Sequence, residues 1–166
     1  MLQEVTLTVE VPAGVDSGQI LRLTGRGAVG PRGGDTGDLY VHLRVAAHER
    51  WHREEHDLVT EVPLSITQVA LGTELDLETL DGVEHLVVPA GVQHGHEFVL
   101  RGRGVPRLTS SGRTRGRGDL RARVAVQVPT KLLPQERDLL RKLAELRGES
   151  VSGDEGLVAK IKSAFS

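Results

Sequence analysis

Cysteine is absent from the 166 residues, which removes both a disulfide framework and thiolate metal ligation. Aromatic side chains are almost as scarce. Tyr40, Trp51, Phe98 and Phe165 are the whole set, too few for a surface that binds nucleic acid by stacking bases. No apolar run approaches the roughly 20 residues of a membrane-spanning helix, and Met1-Leu2-Gln3-Glu4 lacks the pattern of a secretory leader. A formal charge of −2 supplies no general attraction to DNA or to membranes. The expectation is a soluble protein of the cytoplasm.

Charge is abundant but segregated. From Glu49 to Glu84 ten acids face only Arg50 and Arg53, whereas from Arg101 to Lys131 nine bases face only Asp119. The preferred reading is that the two stretches neutralise each other within the chain. A basic partner site is the alternative.

The most informative feature is a duplication. Val11-Pro12-Ala13-Gly14-Val15 returns as Val88-Pro89-Ala90-Gly91-Val92, and Leu23-Thr24-Gly25-Arg26-Gly27 as Leu100-Arg101-Gly102-Arg103-Gly104, both at a shift of 77. Gly18 falls on Gly95 at the same offset, and Gly37-Asp38-Leu39 on Gly118-Asp119-Leu120 at a shift of 81. Two related β units in tandem are implied, the second with a longer loop.

Local patterns agree. Val5, Leu7, Val9 and Val11 alternate with polar residues, as do Leu39, Val41, Leu43 and Val45, which is the period of a half-buried strand. Further strands are expected at 20–23, 58–64, 75–77, 86–88, 98–100 and 120–128. Ser65 to Gly72 reads as a short capped helix. After Pro129 the period lengthens. Pro134 suits a first helical turn, Leu139, Leu140, Leu143 and Leu146 form a stripe, and Gly148 ends it. A last amphipathic helix is expected beyond Ser152, with Leu157, Val158, Ile161, Ala164 and Phe165 on one face; it must dock on something.

Two motifs invite other chemistry. His48-Glu49-Arg50-Trp51-His52 matches the H-E-x-x-H pattern, in which two histidines on one helical face hold zinc and the glutamate acts as base. It falls between two strand patterns, where a helix of several turns has no room, so a zinc metalloprotease is only the alternative reading. Arg113-Thr114-Arg115-Gly116-Arg117-Gly118 resembles an arginine–glycine tract, and an Arg-rich nucleic-acid-binding module is the other alternative. A solvated hairpin loop is preferred. No phosphate-binding loop or nucleophile elbow is present, and no enzyme is expected.

Taken together, Val-Pro-Ala-Gly-Val, Leu-x-Gly-x-Gly and Gly-Asp-Leu-Tyr-Val resemble the carboxy-terminal substrate-binding region of the DnaJ family of co-chaperones. The likeness runs on through Val62-Pro63-Leu64-Ser65, Gln68-Val69-Ala70-Leu71-Gly72, Thr79-Leu80-Asp81-Gly82, Gly102-Arg103-Gly104-Val105-Pro106 and Val128-Pro129-Thr130-Lys131-Leu132, and so covers residues 4–147. The J-domain, its glycine/phenylalanine linker and the cysteine-rich zinc module of some members are not in this sequence. It reads as a fragment whose first unit enters partway, and Trp51 stands where the family usually carries Phe.

The resemblance implies a mostly β fold of two tandem β-sandwich-like units with a short internal helix and a helical tail. The expected divisions are 1–54 (a partial, client-binding first domain), 55–130 (the second β domain) and 131–166 (the dimerisation segment). It implies a co-chaperone fragment that binds non-native polypeptide by β-augmentation in an apolar groove, for delivery to a DnaK-type chaperone. Val5, Leu7, Val9, Leu43 and Trp51 are the candidate client-binding residues, and Leu157, Val158, Ile161 and Phe165 the candidate homodimer contacts. No cofactor is expected in the fragment, although a parent protein could carry zinc in the missing module. Nucleic acid and membrane are not expected partners.

Overall fold

In the computed structural model, which describes residues 6–31, 34–109 and 112–152, strands and helices follow in the order that the glycines punctuate. The chain falls into two units, Met1–Gln127 and Val128–Ser166. Both helices and all the strands below are counted among the described residues.

The first repeat supplies β1 (Ile20–Leu23), β2 (Val29–Gly30), β3 (Gly34–Thr36) and β4 (Leu39–His42). β1 pairs with β4 antiparallel, with Leu21 opposite Val41 and Leu23 opposite Leu39, and the small β2–β3 hairpin lies between them in sequence. The second repeat begins with β5 (His52–Glu54), β6 (Asp57–Ser65) and α1 (Ile66–Leu71). Next come β7 (Thr73–Thr79), β8 (Gly82–Val88), β9 (Glu97–Leu100), β10 (Pro106–Leu108), β11 (Thr114–Arg117) and β12 (Leu120–Gln127).

A four-stranded sheet in the order β5-β6-β12-β9 forms the centre, with β6 and β12 parallel and the other pairs antiparallel. Parallel neighbours need a long crossover, and the 54 residues from Ile66 to Asp119 provide it. One face of the sheet carries Val62, Leu64, Ala122 and Val124, all buried. Leu75, Leu77 and Leu86 of the β7–β8 ribbon pack against them, as does Val69 of α1. Leu120 is wholly buried beside Leu58 and Val105 in an adjoining cluster that includes Trp51. At about 1.5–3 kcal/mol for each fully buried aliphatic side chain, these two clusters are the main stabilising element of the unit.

The duplication is reproduced bond for bond. Leu23 opposite Leu39 becomes Leu100 opposite Leu120, and Leu21 opposite Val41 becomes Phe98 opposite Ala122. Gly18 N–H donates to Leu43 O at 2.9 Å, and Gly95 N–H donates to Val124 O at 2.8 Å. Gly27 N–H reaches Gly37 O, and Gly104 N–H reaches Gly118 O, both at 2.8 Å. The surroundings differ. β12 is paired along both edges, whereas β4 is paired along one among the described residues. No described residue before Leu58 is buried.

One expectation needs revision. Residues 6–11, read as a strand, form no ladder with any described strand; exposed and half-buried side chains alternate from Thr6 to Glu10, but Val11 is exposed as well. In the second unit α2 (Pro134–Arg147) has the expected bounds, with Gly148 in the left-handed region as its cap. Its stripe is not covered, however: Leu139, Leu143 and Leu146 are exposed, while Ala144 is buried. The first turn is held by Glu136, which accepts from the Leu133 N–H at 2.8 Å. The expected last helix, with Leu157, Val158, Ile161 and Phe165, lies outside the described residues.

Candidate functional site

β5 covers only the first residues of β6, with His52 opposite Val59 and Glu54 opposite Asp57. The Leu58 N–H donates to Asp119 O at 2.9 Å, which sets the parity of the strand. Leu58, Thr60, Val62 and Leu64 turn their backbone groups toward β12, and Val59, Glu61 and Pro63 turn theirs outward. Past Val59 that outward side is an open edge among the described residues. It presents the Glu61 N–H and C=O and the Pro63 C=O. Pro63 is tolerated in a nine-residue strand because its missing N–H falls on this open side.

Beside this edge the space between sheet and ribbon is open. A slot of about 360 Å³ is lined by Trp51, Val62, Leu64, Leu75 and Leu77, with Arg50, Gln68, Asp76 and Glu78 at its rim. Arg50 and Glu78 form an ion pair across the mouth. A wider groove of about 1150 Å³ has Trp51, Val59, Pro63, Arg123 and Ala125 among its lining residues. Trp51 is half-buried, and its ring stacks on His48 with centroids 4.5 Å apart. A backbone edge beside an apolar slot can add an extended peptide as a strand and take its alternate side chains inward.

The candidate residues read from the sequence separate. Trp51 lines both grooves. Leu7, Val9 and Leu43 are half-buried in the first repeat and line neither. Leu43 is tied by its backbone to Gly18 and Gln19. Val5 lies outside the described residues. The open edge of β6 was not singled out from the sequence, although a proline inside an apolar β run is the signal for one.

The zinc reading does not find its geometry. Residues 46–51 form no helix and His52 begins β5, so His48 and His52 share no helical face from which to bind zinc. Most of the arginine–glycine tract, read as a solvated hairpin loop, is instead strand β11, paired with β10 and half-buried at Arg117. The two charged stretches do pair. Arg103 bridges Asp81 and Glu84, Arg117 bridges Asp81, and Arg121 meets Glu54 and Asp57. Hydrogen bonds from Arg117, seconded by Arg103, hold the Asp81 carboxyl below its usual range. Arg123 does the same for Glu97. On the outer face of the ribbon His85 sits between Asp76 (3.1 Å) and Glu74 (3.3 Å), which raise its pKa. No described helix is long and apolar enough to cross a membrane.

Residues 2–129 match the family model of the DnaJ C terminal domain, and residues 135–166 that of the chaperone protein DnaJ C-terminal region. The chaperone protein DnaJ of Brevibacillus choshinensis is 48% identical over 161 residues, covering 95% of this chain and 42% of the relative. Chaperone protein DnaJ 2 of Streptomyces avermitilis is 45% identical over 97% of the chain and 43% of its own length. That of Natronomonas pharaonis is 44% identical over 98% and 42%. The chain thus spans about two-fifths of the length of the curated relatives it matches. With the model of the DnaJ C terminal domain covering most of its length, the chain belongs to the DnaJ family.

Proposed function

We propose that the chain is a non-catalytic, client-binding part of a DnaJ-type co-chaperone, and that extended non-native polypeptide pairs with the outward edge of β6. The observation that carries this reading is the unpaired stretch from Glu61 to Pro63 beside the slot lined by Trp51, Val62, Leu64, Leu75 and Leu77. Backbone hydrogen bonds are indifferent to client sequence, and an aliphatic slot selects only for apolar character, which together suit many unfolded partners. Leu7, Val9 and Leu43 would extend the apolar contact along the first repeat.

In this reading the parent protein passes the client to a DnaK-type ATPase, and any zinc belongs to a module outside this sequence. Dimerisation through Leu157, Val158, Ile161 and Phe165 would set two edges on one particle. A long client held at one edge then meets the other at high effective concentration, which strengthens weak single-site binding.

The test acts on the backbone. Glu61→Pro removes only an outward N–H and adds a ring to the open side, leaving the bonds to β12 in place. Suppression of aggregation of a chemically denatured test protein should weaken about tenfold in the concentration required, the worth of one hydrogen bond. Glu61→Gln should leave it unchanged. Equal suppression by Glu61→Pro and the parent, with matching circular dichroism, would remove the β6 edge from the mechanism.

A further inference from the structure

The β10–β11 hairpin carries positive charge that the fold does not use. Pro106 stands opposite Arg117 and Leu108 opposite Thr114, with a bulge between the two pairs. Beyond the strands, the Thr109 N–H and hydroxyl both donate to Arg113 O, at 2.8 and 2.9 Å, and so extend the hairpin. Side chains alternate across a strand, and the extra residue between Thr114 and Arg117 shifts that alternation, so the register divides the hairpin into two faces. Pro106, Leu108 and Arg117 are half-buried on one face, and Arg107, Arg113 and Arg115 are exposed on the other.

The two faces differ in their ionic partners. Arg117 bonds Asp81 at 2.8 Å and donates to Gly104 O at 3.0 Å. Farther along the chain, Arg121 and Arg123 are likewise bonded to carboxylates. The guanidinium groups of Arg107, Arg113 and Arg115 meet no carboxylate among the described residues. No acid occurs in the sequence between Glu97 and Asp119 to neutralise them.

From this geometry we infer that the outer face of the β10–β11 hairpin docks an acidic, extended polypeptide segment with carboxylates at alternate positions. Arg113 and Arg115 are two residues apart, about 6.7 Å along an extended chain, and a peptide with acids at alternate positions repeats its carboxylates at the same interval. Arg107 lies between Pro106 and Leu108, whose partners are Arg117 and Thr114, so it stands across the hairpin from the Arg115–Gly116 segment. All three cations are arginines, whose planar fork takes a carboxylate through two hydrogen bonds where lysine offers a point charge.

A nucleic acid fits less well. The hairpin has no aromatic ring on which a base could stack, and the protein's rings at Trp51 and Phe98 already face His48 and His96. A duplex is also too wide to meet the hairpin alone, and the rest of a chain of net charge −2 would repel it. A short acidic segment touches only the cationic face.

The experiment titrates the full chain into a fluorescein-labelled peptide of alternating Glu and Ser, read by anisotropy. Binding should be saturable and weaken several-fold between about 50 and 200 mM salt, since exposed ion pairs are screened. Arg107→Gln, Arg113→Gln and Arg115→Gln combined should weaken it at least about tenfold with an unchanged circular dichroism spectrum. The matching triple lysine variant should fall between variant and parent, and Arg44→Gln, an exposed arginine of the first repeat, should have no effect. Unchanged affinity in the glutamine variant would overturn the inference. So would tighter binding of a single-stranded or duplex oligonucleotide of equal charge, which would make the face a phosphate-binding one.

Discussion

The Asp119 carboxylate accepts the Gly102 N–H at 2.8 Å, closing the turn of the second Leu-x-Gly-x-Gly motif onto the start of β12. The first repeat makes the same bond, from Gly25 N–H to Asp38 at 2.9 Å. The aspartate of each Gly-Asp-Leu triplet is therefore a clasp for a turn 17 or 13 residues away in sequence. That role explains why the two motifs recur together. Hydrogen bonding from Gly25, then from Arg22, also depresses the Asp38 pKa.

The clasp in the second repeat should matter more than its twin. Asp119 borders the wholly buried Leu120, receives Leu58 N–H on its carbonyl and donates its own N–H to Asp57, whereas Asp38 lies where no side chain is buried. Asp119→Ala should cost about 1.5 kcal/mol in urea denaturation. Asp38→Ala should cost clearly less. Equal losses would show that the clasp acts locally in both repeats, without leverage from the core.

Close packing behind the clasp yields a sharper contrast between two glycines. A Cβ at Gly118 would stand 1.9 Å from His56 O, and neither backbone can yield without breaking the Gly104–Gly118 and Val105–His56 bonds. A Cβ at Gly112 meets nothing, and only its φ of +74° resists substitution. Gly118→Ala should therefore destabilise by about 3 kcal/mol or more, and Gly112→Ala by about 1 kcal/mol. Similar denaturation midpoints for the two variants would contradict the close approach.

These contacts mark how far the sequence could be read. The glycines, the aspartates and the alternation of Val and Leu locate the strands and their faces, because those features are local. The Ser65 cap of α1 and the Gly148 cap of α2 were legible for the same reason, although the reciprocal Gln68 side of the first cap was not used. Neighbour relations were not legible. A period of two says which side chains share a face and nothing about which strand lies alongside, so the parallel pairing of Leu58 with Leu120 was invisible. The same limit left Leu7, Val9 and Leu43 grouped with Trp51, whereas Pro63 inside an apolar run is a local sign of the β6 edge.

On the outer face of the ribbon, His85 between Asp76 and Glu74 predicts a pH-dependent increment of stability. Asp76 and then Glu74 raise its folded pKa above the usual value near 6.5 by stabilising the imidazolium. The contribution is thus complete below about pH 6.5 and is lost as pH rises through the higher folded value. The difference in melting temperature between the parent and His85→Asn should be greatest near pH 6 and vanish once pH has risen past the folded pKa. Solvent exposure keeps it small, and salt should reduce it further. A difference that grows with pH would reverse the assignment of the charged partner.

The uncovered face of α2 bears on assembly. Leu139, Leu143 and Leu146 fall on one side of the helix at intervals of four and three, the spacing of a seam between helices, and all are exposed. Exposed leucines at that spacing favour a partner helix. The amphipathic stretch with Leu157, Val158, Ile161 and Phe165 is the proposed dimer contact. A chain ending at Gly148 should sediment as a monomer at concentrations where the full chain sediments as a dimer. Leu143→Glu in the full chain separates the contributions. If the α2 face joins the interface, the dimer should dissociate at least about tenfold more readily, the effect of one buried like-sized side chain replaced by a charge. If the terminal stretch acts alone, Leu143→Glu will sediment as the parent does, whereas a monomeric full chain would refute dimerisation through this region altogether.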